Sequence, residues 1–383
     1  MMENLRDLAQ GCRALHLEVQ RGDLHLAAAE NADWTLEVSS SHNDLPEVVR
    51  DGDLLTICQR GYGGGRMDLR LTMPHGVERV EASSGMGNVE ASGLRGRGRL
   101  SSGHGHLSLD ESQGDFELSS GNGRVEVRQA RGSLVASSGN GTLLGHHLHG
   151  QITLNTGNGR VELRKSDGEL RINTGNGDVT LQEIGGHGTI ETGHGRIEVQ
   201  GSRALALTAT TGAGDITVSD GTVQSLRLTS MVGKVSSTAH LLPGSYELES
   251  SMGAVSVTIP WGVPARVNAQ TGFGKVTSDI PLVRVGRSGP MSFGGERMVG
   301  SVGEGEPAID IALRTSHGSI SVIQSREAAE GPRTEAATPP QRNEDPAADN
   351  TSGGATLTVL EALARGEITP AEAEDLLYGL QRS

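Results

Sequence analysis

The sequence predicts an all-β protein, a right-handed parallel β-solenoid (β-helix) of 18–21-residue coils, with a small C-terminal α-helical hairpin. A G-x-G unit recurs every 18 residues between 83 and 199 without a slip, which marks a repeat architecture. Each repeat holds two short runs in which apolar and polar residues alternate, as in half-buried strands. Aromatic residues make up only 2% of the chain, which suits a thin aliphatic core. The first glycines of the units are Gly85, Gly103, Gly121, Gly139, Gly157, Gly175 and Gly193.

One repeat, residues 150–167, shows how a coil is built. Ile152 and Leu154 alternate with polar residues in the first run, and Val161 and Leu163 do so in the second. The T-G-N-G between the runs predicts a turn, because Gly supplies a positive φ and Asn tolerates one. A further glycine seven residues before each G-x-G, such as Gly150, marks a second corner. Each repeat is therefore expected to contain two strands and two corners.

Two architectures accommodate this repeat. An antiparallel meander would form one sheet of about 30 strands with an uncovered apolar face, whereas open sheets rarely exceed about 10 strands. A solenoid packs the two apolar runs of each coil against each other and stacks equivalent strands about 4.8 Å apart. The solenoid is favoured, and the crossover rule for parallel strands predicts right-handed winding.

Stacking places equivalent side chains in columns along the solenoid axis. Ser84 begins a hydroxyl column that passes into Thr156, Thr174 and Thr192. A second column consists of amides, which can hydrogen-bond along the axis as in other stacked sheets. These residues are interpreted as structural corner and ladder positions, and a ligand-binding row is the alternative. The amide column is Asn122, Asn140, Asn158 and Asn176.

The remaining regions are predicted from composition and spacing. Residues 1–12 are expected to form an N-terminal cap, and 13–325 the solenoid, which is most regular over 80–200. After Gly195 the step lengthens to 19–21 residues, residues 281–306 read as a glycine-rich loop, and a last unit closes the body near Ile323. Residues 326–355 have the composition of a disordered acidic linker.

Residues 356–383 predict a helical hairpin. Gly366 ends the first helix, and Thr369 with Pro370 gives the start signal of the second. A hairpin of this size is too small to be stable without a partner surface, so self-association or docking to a protein partner is expected. Its proposed interaction residues are Leu360, Leu363, Ile368, Leu376, Leu377 and Leu380.

Composition excludes several classes of function. The net charge is -14, and no basic stripe or stacking aromatics indicate nucleic-acid binding. Cys12 and Cys58 have neither disulfide-framework nor metal-site spacing and are interpreted as isolated small thiols. No apolar stretch resembles a signal peptide or a membrane span, so a cytoplasmic location is expected, with envelope association only through a partner.

No catalytic residue, cofactor or metal site is predicted. The position that holds Asp in calcium-binding rolls is apolar here, as at Val161. Glu90, Glu126 and Glu162 share a column but lie two coils apart, about 9.6 Å, which suits a solvated face better than an acid pair. The corner with His146, His147 and His149 is interpreted as surface with weak adventitious metal affinity, since no fourth ligand is identified.

The stretch from L-R-L-T-M-P-H-G-V through the repeats to I-D-I-A-L-R-T-S-H-G-S-I-S-V resembles the bacterial β-strand-repeat "putative adhesin" family of unknown function. The family ending is matched by Leu313, Thr315, Gly318, Ile320 and Val322. L-E-A-L-A-R-G-E-I-T-P-A-E-A-E-D-L-L is similar to a SHOCT-like helical hairpin. The resemblance implies a β-solenoid body, no established catalytic residues and, in some members, a link to envelope-stress responses.

The sequence thus favours a non-enzymatic scaffold or interaction protein whose hairpin mediates oligomerisation or partner docking. A carbohydrate-active β-helix enzyme is one alternative, and a solenoid that polymerises end to end, as cytoskeletal solenoids do, is another. No residue pattern specifically supports glycan binding.

Overall fold

The computed structural model describes residues 7–30, 32–41, 45–60, 65–285, 295–303 and 305–328. The chain divides into two compact units, Met1–Ala329 and Glu330–Ser383. The second unit lies outside the described residues, as do the expected hairpin and its interaction residues. Of the segment expected as a linker, 326–328 are described and continue the last strand of the solenoid.

The described part of the first unit consists of one helical turn at residues 7–9 and 28 strands. The strands up to the end of the regular array are β1 Ala14–Arg21, β2 Leu24–Ala29, β3 Thr35–Ser40, β4 Glu47–Asp51, β5 Leu54–Cys58, β6 Met67–Pro74, β7 Arg79–Met86, β8 Val89–Ser92, β9 Arg95–His104, β10 Leu107–Asn122, β11 Val125–Asn140, β12 Leu143–His146, β13 His149–Asn158, β14 Val161–Asn176, β15 Val179–His194 and β16 Ile197–Gln200. Those after it are β17 Arg203–Ala213, β18 Ile216–Ser219, β19 Thr222–Val232, β20 Val235–Ser237, β21 His240–Met252, β22 Val255–Trp261, β23 Ala265–Phe273, β24 Val276–Ser278, β25 Val283–Arg284, β26 Glu296–Val302, β27 Ile309–His317 and β28 Ile320–Ala328.

Successive coils stack in parallel register through the regular array. Val161 pairs with Val179, and Ile172 with Ile190, each one repeat apart in the sequence. The side chains that alternate inward are almost fully buried, and those between them face solvent. The parallel β-solenoid predicted from the repeat is therefore confirmed.

The narrow core is filled by matching large and small residues in neighbouring coils. Phe116 lies beside Gly98 of the preceding coil, where a Cβ on the glycine would be 2.6 Å from the phenyl ring. Likewise, a Cβ on Gly145 would lie 2.4 Å from a methyl of Leu163 and 2.8 Å from one of Leu148. At these two core positions the side chain of a neighbouring residue fills the space above the glycine, because protein interiors leave few voids.

Each regular coil has a corner that the sequence did not reveal. The predicted second corner is present, with Gly150 and its equivalents at positive φ. Six further residues without glycine's freedom also have a positive φ, between 48° and 55°, where the chain turns after its short strand. The signal was weak, because only Gly93 and Gly201 in the same column are glycines. The six residues are Glu111, Gln129, His147, Lys165, Glu183 and Asp220.

The positive φ predicted for glycine at the G-x-G corner is wrong for the first glycine of each unit, whereas several second glycines, such as Gly105 and Gly195, do have one. The first glycines of the units, such as Gly157, do not have a left-handed φ. Their constraint is close approach of the stacked backbone: a Cβ on Gly157 would lie 2.7 Å from the carbonyl oxygen of Gly139. The second glycine is tighter still, since a Cβ on Gly159 would lie 1.8 Å from the oxygen of Gly141.

At the N-terminal end, the spatial order of coils differs from their sequence order. β1 lies between β5 on one side and β7 on the other, and β2 lies between β6 and β8. β4 then pairs antiparallel with β5, and β3 with β6. The antiparallel strands therefore cover the outer edge of the parallel stack.

The C-terminal end has a similar departure from sequence order. The coil formed by β27 and β28 lies between the coil of β21 and β22 and that of β23 and β24. The unit predicted to close the body near Ile323 is thus the last described coil in sequence but not the outermost in the stack. The expected loop over 281–306 is wrong in part, because β26 pairs antiparallel with β23 and with β25.

Candidate functional site

A shallow polar groove of about 830 Å³ follows the G-x-G corners of the regular array. Its floor contains the first glycines of four successive units, where the lack of a side chain leaves a depression. Its wall is an outward column of short polar residues on the strands that lead into these corners. We call it the G-x-G groove; the floor is Gly139, Gly157, Gly175 and Gly193, and the outward column is Ser119, Ser137, Asn155, Asn173, Glu191 and Thr210.

A column of buried hydroxyls beneath this groove bonds most coils to the preceding one, and the Thr174 hydroxyl is an exception, since it has no hydrogen-bond partner among the described residues. Ser102 Oγ donates to the carbonyl oxygen of Gly87 at 2.8 Å, and Ser138 Oγ donates to that of Gly123 at 3.2 Å. The hydroxyls thus bond to the backbone of the second glycine of the preceding unit, and not to one another. Where the first glycine is replaced by Met231, the hydroxyl of Ser230 still bonds to Gly214 at 2.9 Å.

The predicted amide column forms a continuous ladder. Asn140 Nδ2 donates to Asn122 Oδ1 at 2.9 Å, Asn158 to Asn140 at 3.0 Å, and Asn176 to Asn158 at 2.8 Å. Each of these side chains is exposed and stands between the two glycines of its unit. The structure thus brings together all four predicted asparagines beside the groove floor.

A second amide ladder lies within the groove wall and was missed in the sequence. Asn173 Nδ2 donates to Asn155 Oδ1 at 3.0 Å. The signal was present as a polar residue before the hydroxyl column in every repeat, in S-S-G and N-T-G. Because every second residue on a strand shares a face, this position faces outward wherever the hydroxyl faces inward.

The groove favours hydrogen bonding over catalysis. Among its lining residues only Glu191 is ionisable, and the others offer hydroxyl, amide and backbone groups. General acid–base catalysis requires positioned titratable groups, and the groove presents no such pair in its lining. The arrangement can therefore hydrogen-bond a polar, extended ligand, with Glu191 as the single titratable group of its lining.

The three histidines of the corner do not meet as one metal-ligating group. The rings of His146 and His147 have their centroids 5.7 Å apart, and His147 also lines a second recess together with His149 and Arg131. Burial lowers the pKa of His146, and the nearby positive groups of His147, Arg164, Arg128 and Lys165 lower it further. The recess that His146 and His147 line also contains Arg128, Arg164 and several carboxylates, and among the described residues these side chains do not come together as a metal-ligating cluster.

The three glutamates considered for an enzyme do not form an acid pair. Each has a basic neighbour within ion-pair distance, which is the arrangement of a solvated surface. The pairs are Glu90 with His25, Glu126 with Arg128, and Glu162 with Arg160.

No helix in the described ranges has the length and apolar character needed to cross a bilayer.

Comparisons with known proteins agree with this architecture. Residues 151–323 match the family model described as Toastrack DUF4097, a description that names no activity. No curated protein matches the chain. A solved structure of a "putative cell adhesion protein" from Clostridium sporogenes ATCC 15579 aligns with 83% of this chain and 95% of its own at 10% identity, with a TM-score of 0.16. The match of residues 151–323 to this family model confirms the resemblance predicted from the repeats.

Proposed function

We propose that the chain is a non-enzymatic β-solenoid interaction protein that binds an extended protein segment along the G-x-G groove. The observation that supports this proposal is the outward polar column, which offers a hydroxyl, amide or carboxylate at the same place in six successive coils. Regular solenoids commonly use such extended surfaces for binding. Neutral donors and acceptors are suited to peptide groups, each of which carries one donor and one acceptor.

A photocrosslinking experiment tests the groove. A photoreactive amino acid is placed at Asn155, within the groove, or at Thr153, which points outward on the same strand but does not line it. We expect a protein crosslink from position 155 that is lost when Asn173→Arg obstructs the groove. Equal crosslinking from both positions, or a glycan as the captured molecule, would contradict the proposal.

The C-terminal segment supplies a second, separable part of the proposal, based on its sequence pattern. We propose that 356–383 drives self-association or docks to a protein partner through its leucines. Light scattering with small-angle X-ray scattering compares the full chain with a 1–328 chain. An oligomeric full chain beside a monomeric truncation supports self-association; equal masses exclude it and leave docking, which a pull-down with 356–383 then tests.

The resemblance to envelope-associated families leads us to propose a role in envelope-stress signalling. A deletion strain exposed to cell-wall antibiotics should show altered sensitivity, and restoration by the full chain but not by 1–328 would support a role for the hairpin. Unchanged sensitivity would argue against this role.

End-to-end polymerisation is less favoured, because antiparallel β4 and β26 cover the outermost parallel strands at the described ends.

A further inference from the structure

Three side chains with metal-ligating chemistry meet near the N-terminal end of the solenoid. His16 and Glu18 are two residues apart on β1, so both project from the same face of the strand. Cys58 is the register partner of Glu18 on the neighbouring strand β5. One ligand atom from each residue can be chosen so that all three lie within 4.8 Å of one another.

A fourth residue orients the histidine. His16 Nδ1 lies 3.4 Å from a carboxylate oxygen of Glu81 on β7, and its Nε2 lies 3.8 Å from one of Glu18. In the tautomer that carries its proton on Nδ1, the ring donates to Glu81 and the lone pair of Nε2 faces Glu18. This carboxylate–histidine arrangement is the usual outer shell of a metal-ligating imidazole, because it fixes the tautomer and raises ligand basicity.

The charge around the cluster also favours a cation. Glu47 is the register partner of Cys58 on its other side, so the thiol stands between two carboxylate-bearing strands. Arg60 is 3.5 Å from Glu47, but Glu18 and Glu81 have only the ring of His16 as an ion-pair partner in the described part of the chain.

We propose that His16 Nε2, the Glu18 carboxylate and Cys58 Sγ bind Zn²⁺, with Glu81 as the positioning residue for His16. A mixed nitrogen, oxygen and sulfur donor set suits zinc, whereas calcium and magnesium take oxygen ligands. Three protein ligands leave a coordination position for water or for a group from another molecule. This site lies on a different part of the solenoid from the G-x-G groove and does not depend on the proposed function.

No sequence motif reveals the site, because its ligands lie on strands whose order in the stack differs from their order in the sequence. Forty residues separate Glu18 from Cys58, and β5 reaches β1 only because the second coil in sequence stacks outside the first. A nearby pair serves as an internal control. His25 and Glu90 are 3.0 Å apart on β2 and β8, in the same relation as His16 and Glu81, but without a cysteine beside them.

Cobalt titration of the tag-free full chain tests the proposal. Co²⁺ replaces Zn²⁺ in such sites and gives a thiolate-to-metal charge-transfer band only when a cysteine sulfur is a ligand. We expect one equivalent of Co²⁺ to produce this band and one equivalent of Zn²⁺ to remove it. Cys58→Ser should abolish the band, His16→Gln should weaken Zn²⁺ binding at least tenfold, and Glu81→Gln should weaken it about 10- to 100-fold.

Matched variants separate this site from other binding. Cys12→Ser, His25→Gln, and a variant with His146, His147 and His149 all changed to Gln should retain the band and the wild-type affinity. Zn²⁺ should also raise the melting temperature of the wild type but not that of Cys58→Ser, whose metal-free folding is checked by circular dichroism. No charge-transfer band in the wild type, a band retained in Cys58→Ser, or an equal loss of affinity in His25→Gln would overturn the proposal.

Discussion

At the scale of single residues, backbone proximity between coils determines where glycine is needed. The second glycine of each unit approaches the preceding carbonyl oxygen more closely than the first: a Cβ would lie 1.8 Å from that oxygen at Gly159 and 2.7 Å from it at Gly157. This difference in distance explains which of the two glycines is lost in the irregular coils. Met231 and Ser251 replace the first glycine of their units, whereas Gly233 and Gly253 keep the second.

The two glycines of one unit should therefore differ in their tolerance of alanine. Gly159→Ala forces adjacent coils apart and should destabilise the protein by about 3 kcal/mol, whereas Gly157→Ala should cost about 1 kcal/mol. Urea denaturation followed by circular dichroism measures both variants. Equal losses would show that close approach of the coils does not distinguish the two positions.

The corner that follows the short strand of each coil, where Gln129 lies, provides a prediction in which a substitution increases stability. Gln129 has a φ of 50°, which costs a residue with a side chain about 1–2 kcal/mol. Gln129→Gly should remove that cost and, after the entropy that glycine loses on folding, stabilise the protein by about 0.5–1 kcal/mol. Gly201→Ala is the reciprocal control, because its Cβ would meet nothing closer than 3.6 Å and only the φ of 65° opposes it. A loss of stability in Gln129→Gly would contradict this account.

At the scale of the elements, the coil is the unit that the sequence predicts well. Because each repeat keeps the same length, equivalent residues such as Asn140 and Asn158 had to stack, and their ladder could be predicted from spacing alone. The groove beside them could not, because its shape depends on which columns face outward at the G-x-G corner. Irregular elements depend on single contacts: Glu296 on β26 accepts from the backbone N–H of Val276 at 2.9 Å and from Arg284.

Glu296 should make the C-terminal end sensitive to acid. Its hydrogen bonds to Arg284 and to the Val276 N–H lower its pKa in the folded state below the ordinary value of 4.5. Its contribution is thus present above pH 4.5 and is lost as pH falls through the lower folded-state pKa. Glu296→Gln should be less stable than wild type by about 1–2 kcal/mol at neutral pH.

Denaturation of the wild type and of Glu296→Gln over a pH series measures this contribution. The difference in stability should shrink as the pH falls below 4.5 and disappear below the folded-state pKa of Glu296, where its side chain is as uncharged as glutamine. Glu78→Gln removes an exposed ion pair with Arg13 and should have no measurable effect at any pH. A difference for Glu296→Gln that stays constant through the acid range would contradict the prediction.

At the scale of the whole molecule, the spatial order of the coils is the part that spacing does not reveal. The repeat shows which residues occupy equivalent positions in different coils. It does not show whether two coils that follow each other in the sequence also stack on each other, because the local sequence of a coil is the same in both cases. The stacking order of the coils at each end depends on which strand edge is still unpaired when the next coil forms. The cluster of His16, Glu18 and Cys58 was missed for the same reason, since β5 joins β1 only through this reordering.

The inserted coil should be essential to the C-terminal end. A chain ending at 302 lacks β27 and β28, so β23 and β24 lose their attachment to the stack, whereas β21 and β22 keep a parallel partner on one side, in β19 and β20. Hydrogen exchange should show that β23 and β24 lose most of their protection in this chain and that β21 and β22 lose part of theirs. A chain ending at 328 should keep wild-type protection there and the same melting temperature; equal behaviour of the two chains would exclude this role.

The position of the inserted coil also affects how the protein is made. The ribosome produces β23 to β26 before β27 and β28, and at about 5–20 residues per second roughly 3 to 13 seconds pass between the end of β22 and the end of β28. Throughout that interval the nascent chain presents an unpaired edge that only its own last segment is meant to fill. A neighbouring chain carries the same segment, so crowded synthesis on one messenger would favour exchange of β27 and β28 between copies and a domain-swapped dimer.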